Sequence, residues 1–408
     1  MANSLTAGNI AVWSRMLQQQ RDKKLIALSL CNYLFQNQMN EGDTFHKPYG
    51  SRYHVVSYTK GTDISNRQDM TYTDESGSVN QIECIPSYLD KIDEIQNHYS
   101  VLKTESVKMA YSLKKRLDAV VLAEYDNAGY DINEGDFSSG STAHTFTTSD
   151  IDQMFTVLNK KLNLQNEELN GRFAVIGPSQ LQLLQDALSA KDTVFGDNVG
   201  STGLVGKRFG IEIYLSNNLT FTARWTPANQ PTTLATLTIF GVTITLTTAT
   251  PAAVGEVLIE TNTATTLDNL VALLNNSASA AASALASTSK YYNFAQADLA
   301  KLDSLVATDG TTYLDIECVG MGEVVVATSE PLDLWSLHTL HCLGGRRGAT
   351  SMIIQRQPGL HVVEDPDRIG VNITPWQLYG LKTFTGEDKY SLVDINVNAS
   401  AFATNSAV

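Results

Sequence analysis

At 408 residues the chain can hold two or three domains of ~100–200 residues each, and its 43% hydrophobic and 18% charged residues exclude a disordered polymer. Its 29 basic and 43 acidic side chains leave a net charge of −14, which argues against nucleic-acid binding unless the basic groups cluster. No stretch approaches the ~20 apolar residues of a membrane span, MANSLTAGNI lacks the basic start and apolar block of a secretory leader, and the scattered Cys31, Cys84, Cys318 and Cys342 form no CxxC pair, so an acidic, soluble, cytosolic protein without disulfides or a zinc knuckle is expected.

Residues 9–37 read as helix, with Val12, Trp13, Met16 and Leu17 at helical spacing. Arg15, Arg21, Lys23 and Lys24 make this stretch locally basic, against Asp22 alone among acids in the first 40 residues. A docking helix with a solvated charged bend is the simpler reading; a basic arm that meets an acidic partner is the sharper one. Residues 41–86 change character. Glycines stand at 42, 50, 61 and 77, and Tyr53, Val55, Ser57 and Thr59 alternate with His54, Val56 and Tyr58, so neither face is purely apolar. The pattern predicts a long extended hairpin with little core of its own. Such a hairpin is marginal alone and needs another surface, such as a second subunit.

Residues 88–126 read as helix in two parts. From Thr104 to Asp126, Val107, Ala110, Leu113, Leu117, Val121 and Tyr125 form one stripe, roughly 34 Å long at 1.5 Å per residue, with Lys114, Lys115 and Arg116 as a solvated turn. Residues 127–150 are rich in Gly, Ser, Thr and Asp and mark a break. Thr148 or Ser149 then caps a helix carrying Ile151, Met154 and Leu158. RFAVIGP reads as a buried strand, PSQLQLLQDAL as a helix with Pro178 in its first turn, and FGIEIYLSNNL as a strand, which together indicate an α/β or α+β unit.

Residues 220–329 differ in composition, with only Arg224, Glu256, Glu260 and Asp268 charged between 216 and 289. If Phe240-Gly241 is a turn, Ile239 pairs with Val242, Leu237 with Ile244 and Ala235 with Leu246 on one face, and Thr238–Thr243 and Thr236–Thr245 share the other. Phe240 is a poor residue for positive φ, so a longer turn is also open. A helix follows, with Leu267, Leu270, Val271 and Leu274 at i, i+3, i+4 and i+7, and Thr265 and Asp268 at capping-box spacing. The tract 277–289 is low-complexity, helix or linker. With later strands around YLDIECV and EVVVATS this makes a small α+β module inserted into the preceding unit. From Trp335 the earlier character returns, and Val393, Ile395 and Val397 alternate with Asp394, Asn396 and Asn398 as a half-exposed strand.

Catalytic signatures such as GxSxG and HExxH are missing, and no cofactor is expected. GSTGLVGKR, 200–208, has one residue too many for a phosphate loop and Arg208 where magnesium needs Ser or Thr. His338, His341 and Cys342 could ligate a metal if helical, but a buried structural segment fits better. Asp126, Asp131, Glu134 and Asp136 lack the bidentate pattern of a calcium loop. Glu364, Asp365, Asp367 and Arg368 read as a charged turn around Pro366.

The order of segments and four passages carry a resemblance: EGDTFHKPYG, SLKKRLDAVVLAEY with Leu117-Asp118, GRFAVIGPSQLQLLQDAL followed by GLVGKRFGIEIYLSNNL, and RRGATSMII with YGLKTFTGEDKYSLVDINV. They resemble the major capsid proteins of tailed bacteriophages, over roughly 1–220 and 335–408. The resemblance implies the α+β, HK-ninety-seven-like capsid fold. It would place an N-terminal helical arm at 1–40, an extended E-loop at 41–86, a peripheral domain with a spine helix at 87–147, and the first part of an axial domain at 148–220. An inserted α+β domain would follow at 221–330, the axial return at 331–362, and the peripheral return strand and tail at 363–408.

It implies a non-enzymatic shell subunit, present in hundreds of copies as pentamers and hexamers, that encloses double-stranded DNA without reading its sequence. Scaffolding, portal and decoration proteins are possible partners under this resemblance, and the location is the virion capsid, assembled in the host cytoplasm. An acidic wall suits such a container because it does not trap the packaged polyanion. Arg15, Arg21, Lys23 and Lys24 would meet a scaffold, and Lys60, Tyr53 and Tyr58 a neighbouring subunit. Some relatives crosslink an E-loop lysine to an asparagine, for which Lys60 and, nominally, Asn372 or Asn398 are candidates here. The alternatives are an encapsulin-like nanocompartment shell, a phage tail or adhesion protein with a recognition insertion, and, least supported, an enzyme.

Overall fold

A computed structural model describes residues 22–37, 42–64, 67–96, 101–189, 206–277, 290–302, 304–329, 334–359, 361–399 and 403–404. The spine helix, Val101–Leu122, runs on into a 3-10 turn at Ala123–Asn127. Leu113, Leu117 and Val121, four residues apart, face inward together with Tyr125 of the turn. Val107 was expected on this stripe and is 67% exposed, so the buried stripe begins at Leu113. A short helix, Lys91–Gln96, precedes the spine.

The N-terminal segment corrects the expectation of helix over 9–37. Its described part holds one 3-10 turn, Ala27–Leu30, and no α-helix. Ile26, Ala27 and Leu30 are buried, with the 3-10 turn packed on the spine, and Asn32 bridges to Ser351 before a turn at 34–37. The positions Val12, Trp13, Met16 and Leu17 lie outside the described residues.

The largest sheet has nine strands. In order it contains Leu305–Asp309, Leu314–Cys318, Thr220–Thr226, Leu334–Arg346, Arg172–Ile176, Ile211–Leu215 and Lys207–Arg208, with Leu392–Asn398 and Tyr130–Ile132 branching from Leu334–Arg346. That 13-residue strand pairs with Thr220–Thr226 and Arg172–Ile176 along one side and with Leu392–Asn398 along the other. Two helices cover the sheet. Ile151–Leu164 presents Ile151, Met154, Phe155, Leu158 and Leu162, and Pro178–Ser189 presents Leu184 and Leu188, all fully buried. Five completely buried side chains on one helix at ~1.5–3 kcal/mol each are a principal stabilising term of this layer.

Four local readings are corrected here. Asp150, not Thr148 or Ser149, is the residue before the first of these helices, and its carboxylate is engaged outward by Thr147 rather than by the helix. The break at 127–150 contains a strand, Tyr130–Ile132, that adds to the large sheet in parallel with Val393–Ile395; its three residues are too few to show a period. The strand Leu392–Asn398 is not half-exposed. Its polar Asp394 is buried too, because the strand is paired on both edges and packed on both faces.

The fourth concerns the stretch expected to form an inserted module. Thr220–Thr226, Leu305–Asp309 and Leu314–Cys318 lie in the large sheet itself. Phe221, Ala223 and Trp225 are buried with Leu314, Ile316 and Cys318, so this part shares the main core rather than a core of its own. The five-stranded sheet built from Glu256–Leu258, Val242–Thr247, Thr236–Ile239, Val326–Thr328 and Ala403–Thr404 is separate. Its hairpin has the pairing read from the sequence, Ile239 with Val242, Leu237 with Ile244, Thr238 with Thr243 and Thr236 with Thr245. Phe240 and Gly241 form a two-residue turn at φ 50° and 74°, so Phe240 does adopt the left-handed backbone. The helix Thr263–Ser277 bridges the two sheets, and Asn275 exchanges two 2.8 Å hydrogen bonds with the backbone of Ala307.

Two smaller sheets flank the spine. One orders Thr350–Gly359, Trp376–Thr383 and Gln81–Cys84; the other orders Val362–Glu364, Gly370–Ile373 and Ser87–Asp90. The expected hairpin leaves this region. Its base pairs Thr44–His46 with Ser76–Ser78 and Tyr49–Gly50 with Tyr72–Thr73.

Candidate assembly surfaces

The hairpin is anchored at its base and bare at its tip. Phe45 is buried with Phe35, Val79, Ile353 and Phe384 in a small core apart from the main one. The rings of Phe45 and Phe384 meet edge to face at 5.9 Å. Gly77 opposite Phe45 is required, since a Cβ there would stand 2.4 Å from the ring. Ion pairs tie the base to the loop after Thr383: Lys47 with Asp388, and Arg52 with Glu387 at 2.8 Å. Glu75 accepts the backbone N–H of Thr385 at 2.8 Å and of Gly386 at 3.2 Å. Burial raises the Glu75 carboxyl, but these hydrogen bonds outweigh it and hold the group below its ordinary range.

Beyond Gly50 and Tyr72 the described arms hold one further backbone bond, Ser51 N–H to Thr71 O at 3.0 Å, and no strand. A side chain substitutes for a ladder: Gln68 accepts the N–H of His54 at 2.9 Å and donates to its carbonyl at 2.6 Å. Tyr53, Tyr58, Ile64, Met70 and Tyr72 are exposed, and Val55 is 99% exposed. Lys60 stands exposed at the tip, beside the turn closed by Thr62 N–H on Thr59 O at 3.2 Å. These exposed large side chains gather on one projection of the chain.

The N-terminal segment is held by the spine. Asp118, fully buried, accepts the N–H groups of Ile26 and Ala27, both at 2.7 Å, on Oδ1. Its Oδ2 accepts from Asn218 Nδ2 at 3.1 Å. Burial pushes the Asp118 carboxyl above its ordinary value, with the hydrogen bonds from Asn218, Ala27 and Ile26 opposing. Tyr111 donates to Lys23 O at 3.0 Å. Lys23 itself turns inward, with Nζ 2.6 Å from Asn217 O. Burial and the neighbouring Lys115 lower it to about 8, so at neutral pH it remains an ammonium. Of the four basic residues expected to face a partner, Lys23 is therefore engaged within the chain and Lys24 is exposed, while Arg15 and Arg21 lie outside the described residues.

Glu83 is a joint that the sequence did not reveal. It accepts from Arg116 Nε at 2.9 Å, Gln377 Nε2 at 2.9 Å and Tyr379 Oη at 3.1 Å, fastening the spine to the sheet beside it. Only the topology brings these residues together.

The other candidates separate. His338 and His341 lie on a strand, not a helix, and three residues apart on a strand point to opposite faces. His341 bonds Asp394 at 2.8 Å and Thr222 at 3.0 Å, while Cys342 is fully buried with its thiol raised by burial. Asp136 pairs with Lys161 at 2.7 Å and Glu134 with His144 at 2.5 Å. Arg208 forks onto Asp152 at 2.9 and 2.6 Å. Glu364 pairs with Lys91 at 3.3 Å, and Asn372 donates to Asp365 at 3.2 Å. Among the described residues no group of three His, Cys, Asp or Glu is placed to hold a metal ion, and no helix is long and apolar enough to cross a membrane.

Comparison with known proteins agrees with this architecture. Residues 90–255 match the family model for phage capsid protein. The structure from Mycobacterium phage Che8 superposes with a TM-score of 0.58 at 14% identity, over 96% of this chain and 97% of that one. The capsid structure of cyanophage P-SCSP1u gives 0.57 at 12% identity, over 100% and 96%. The mature capsid of bacteriophage PhiM1 gives 0.52 at 10% identity, over 95% and 92%. No curated protein matches. The fold is thus the HK-ninety-seven-like capsid fold, and over residues 90–255 the chain matches the phage capsid protein family.

Proposed function

We propose that the chain is the major capsid protein of a tailed bacteriophage and builds the icosahedral shell around its double-stranded DNA. The observation that carries this reading is the hairpin: a projection with an anchored base and a row of bare apolar groups, standing apart from the main core. A monomer gains nothing from such an arm; a shell in which each arm lies across a neighbour buries it. Tyr53, Tyr58 and Lys60 are the contact residues on this reading. Copies assemble as pentamers and hexamers in the host cytoplasm, by way of a scaffold and around a portal, with the acidic composition keeping DNA mobile inside. The role is structural rather than enzymatic. Asp365 already engages Asn372, so a covalent link from Lys60 to that residue would first have to break this bond.

Electron microscopy of the full chain expressed alone and with a scaffold tests the reading. Closed shells of hundreds of subunits are expected; tubes or sheets would still be a shell protein without its scaffold. A monomer that stays monomeric in both preparations would overturn it.

A further inference from the structure

Three backbone carbonyls converge on the end of Lys23. Nζ lies 2.6 Å from Asn217 O, 3.1 Å from Gly320 O and 3.4 Å from Met321 O. These residues come from two loops, one following the strand Ile211–Leu215 and the other the strand Leu314–Cys318. Asn218 adds a fourth oxygen to this neighbourhood: its Oδ1 is buried and has no hydrogen-bond partner, and a Cβ on Gly320 would stand 3.1 Å from it. Asp118 is near enough to attract a cation and Lys115 to repel one.

The chemistry of the cage selects its occupant. An ammonium has three donors and no acceptor, matching three carbonyls one for one. Hard divalent ions need oxygens at about 2.3–2.6 Å for calcium or about 2.0–2.1 Å for magnesium, mostly from carboxylates. Here the oxygens nearest the charge are neutral and two of the three stand beyond 3 Å. Carbonyl oxygens that replace a hydration shell are instead the chemistry of monovalent cations.

We infer that Asn217 O, Gly320 O and Met321 O form a binding site for a monovalent cation of the ammonium class, filled from within the chain by Lys23, and that this occupancy latches the N-terminal segment to the large sheet. The same segment is also held by Asp118 at Ile26 and Ala27 and by Tyr111 at Lys23 O, so Lys23 adds the attachment nearest the start of the described segment. The cage does not fully repay the hydration that the ammonium gives up. A free cation therefore binds it weakly, at concentrations well above the about millimolar level that a short tether supplies. When the segment lifts, ammonium or potassium takes the place of Lys23.

The test uses the purified full chain and its Lys23→Met variant, which keeps the apolar stem and removes the charge. Melting is followed in choline chloride and in ammonium chloride at equal ionic strength. Lys23→Met is expected to melt below wild type in choline and to recover by about 2 °C or more in ammonium, with wild type indifferent to the exchange. No recovery in the variant, or the same shift in wild type, overturns the inference. If Lys23→Met does not fold, Lys23→Gln, which keeps a donor without the charge, is melted in the same two salts: recovery of about 2 °C or more in ammonium is expected, and no recovery overturns the proposal.

Discussion

The carboxylate of Asp118 and the backbone N–H of Ile26 meet at 2.7 Å in the interior, 92 residues apart in the chain. The same oxygen takes the N–H of Ala27. One spine side chain thus caps the start of the 3-10 turn Ala27–Leu30, and supplies a partner to backbone donors that would otherwise be buried unmatched.

Asp118→Ala leaves those two donors without their acceptor and takes one of two acceptors from Asn218 Nδ2, which keeps Lys115 O at 3.0 Å. At ~1–3 kcal/mol for each unmatched buried group, a loss of about 3 kcal/mol in unfolding free energy is expected by denaturant titration. Asp118→Asn retains an acceptor oxygen and loses less. Equal stability of Asp118→Ala and wild type would refute the role assigned to this residue.

Phe45→Ala removes the ring at the centre of the small core beneath the hairpin. Truncating a buried Phe costs ~3–5 kcal/mol. Because this core is separate from the main one, the cost falls on the hairpin. Limited proteolysis should cut within 51–71 many times faster in the variant, while the melting of the large sheet changes little. An unchanged cutting rate would sink the idea that Phe45 anchors the base.

Tyr53→Ser and Tyr58→Ser act at exposed positions. Stability of the isolated subunit should stay within about 0.5 kcal/mol of wild type, as exposed substitutions do, while assembly falls sharply in light scattering. Normal assembly by the double variant would remove these tyrosines from the subunit interface.

Acid should loosen the hairpin base and spare the arm. Glu75 lies below its ordinary value in the folded chain, so the folded state binds fewer protons there. Its contribution is present above the ordinary carboxylate range and is lost as pH falls through the folded value. Asp118 lies above its ordinary value. The folded state there binds more protons, so its contribution falls as pH rises between the ordinary and the folded value and is largest in acid. Hydrogen exchange compared at pH 5 and pH 3, corrected for intrinsic rates, should show faster opening at Thr385 and Gly386 but not at Ile26 and Ala27. The opposite ordering would contradict both assignments.

What the sequence made legible follows the range of the signal. The hairpin of Thr236–Ile239 and Val242–Thr247 is legible residue by residue because its two faces alternate within ten positions. The spine and the helix Ile151–Leu164 announced themselves through one apolar stripe each. Three-residue strands such as Tyr130–Ile132 carry no period, and Thr220–Thr226 reads as part of a threonine-rich tract although it lies in the main sheet. Joints such as Glu83 with Gln377, or Lys23 with Gly320, are about 300 residues apart and have no local signature. At the tip, Tyr53, Tyr58 and Lys60 were legible as exposed because nothing near them in sequence could cover them. The turn of Lys23 toward Asn217, Gly320 and Met321 leaves no mark in its basic stretch, because those partners lie about 200–300 residues away.

The strand Leu334–Arg346 also sets an order of events during synthesis. Its neighbours are drawn from residues 172–176, 220–226 and 392–398, so the large sheet cannot close until residue 398 has left the ribosome. Until then Arg172–Ile176 and Thr220–Thr226 wait with open edges, the condition under which unfinished sheets aggregate. Long-range pairing of this kind is slow, and a pause in translation between residues 226 and 334 would prolong the exposure while one before residue 172 would not.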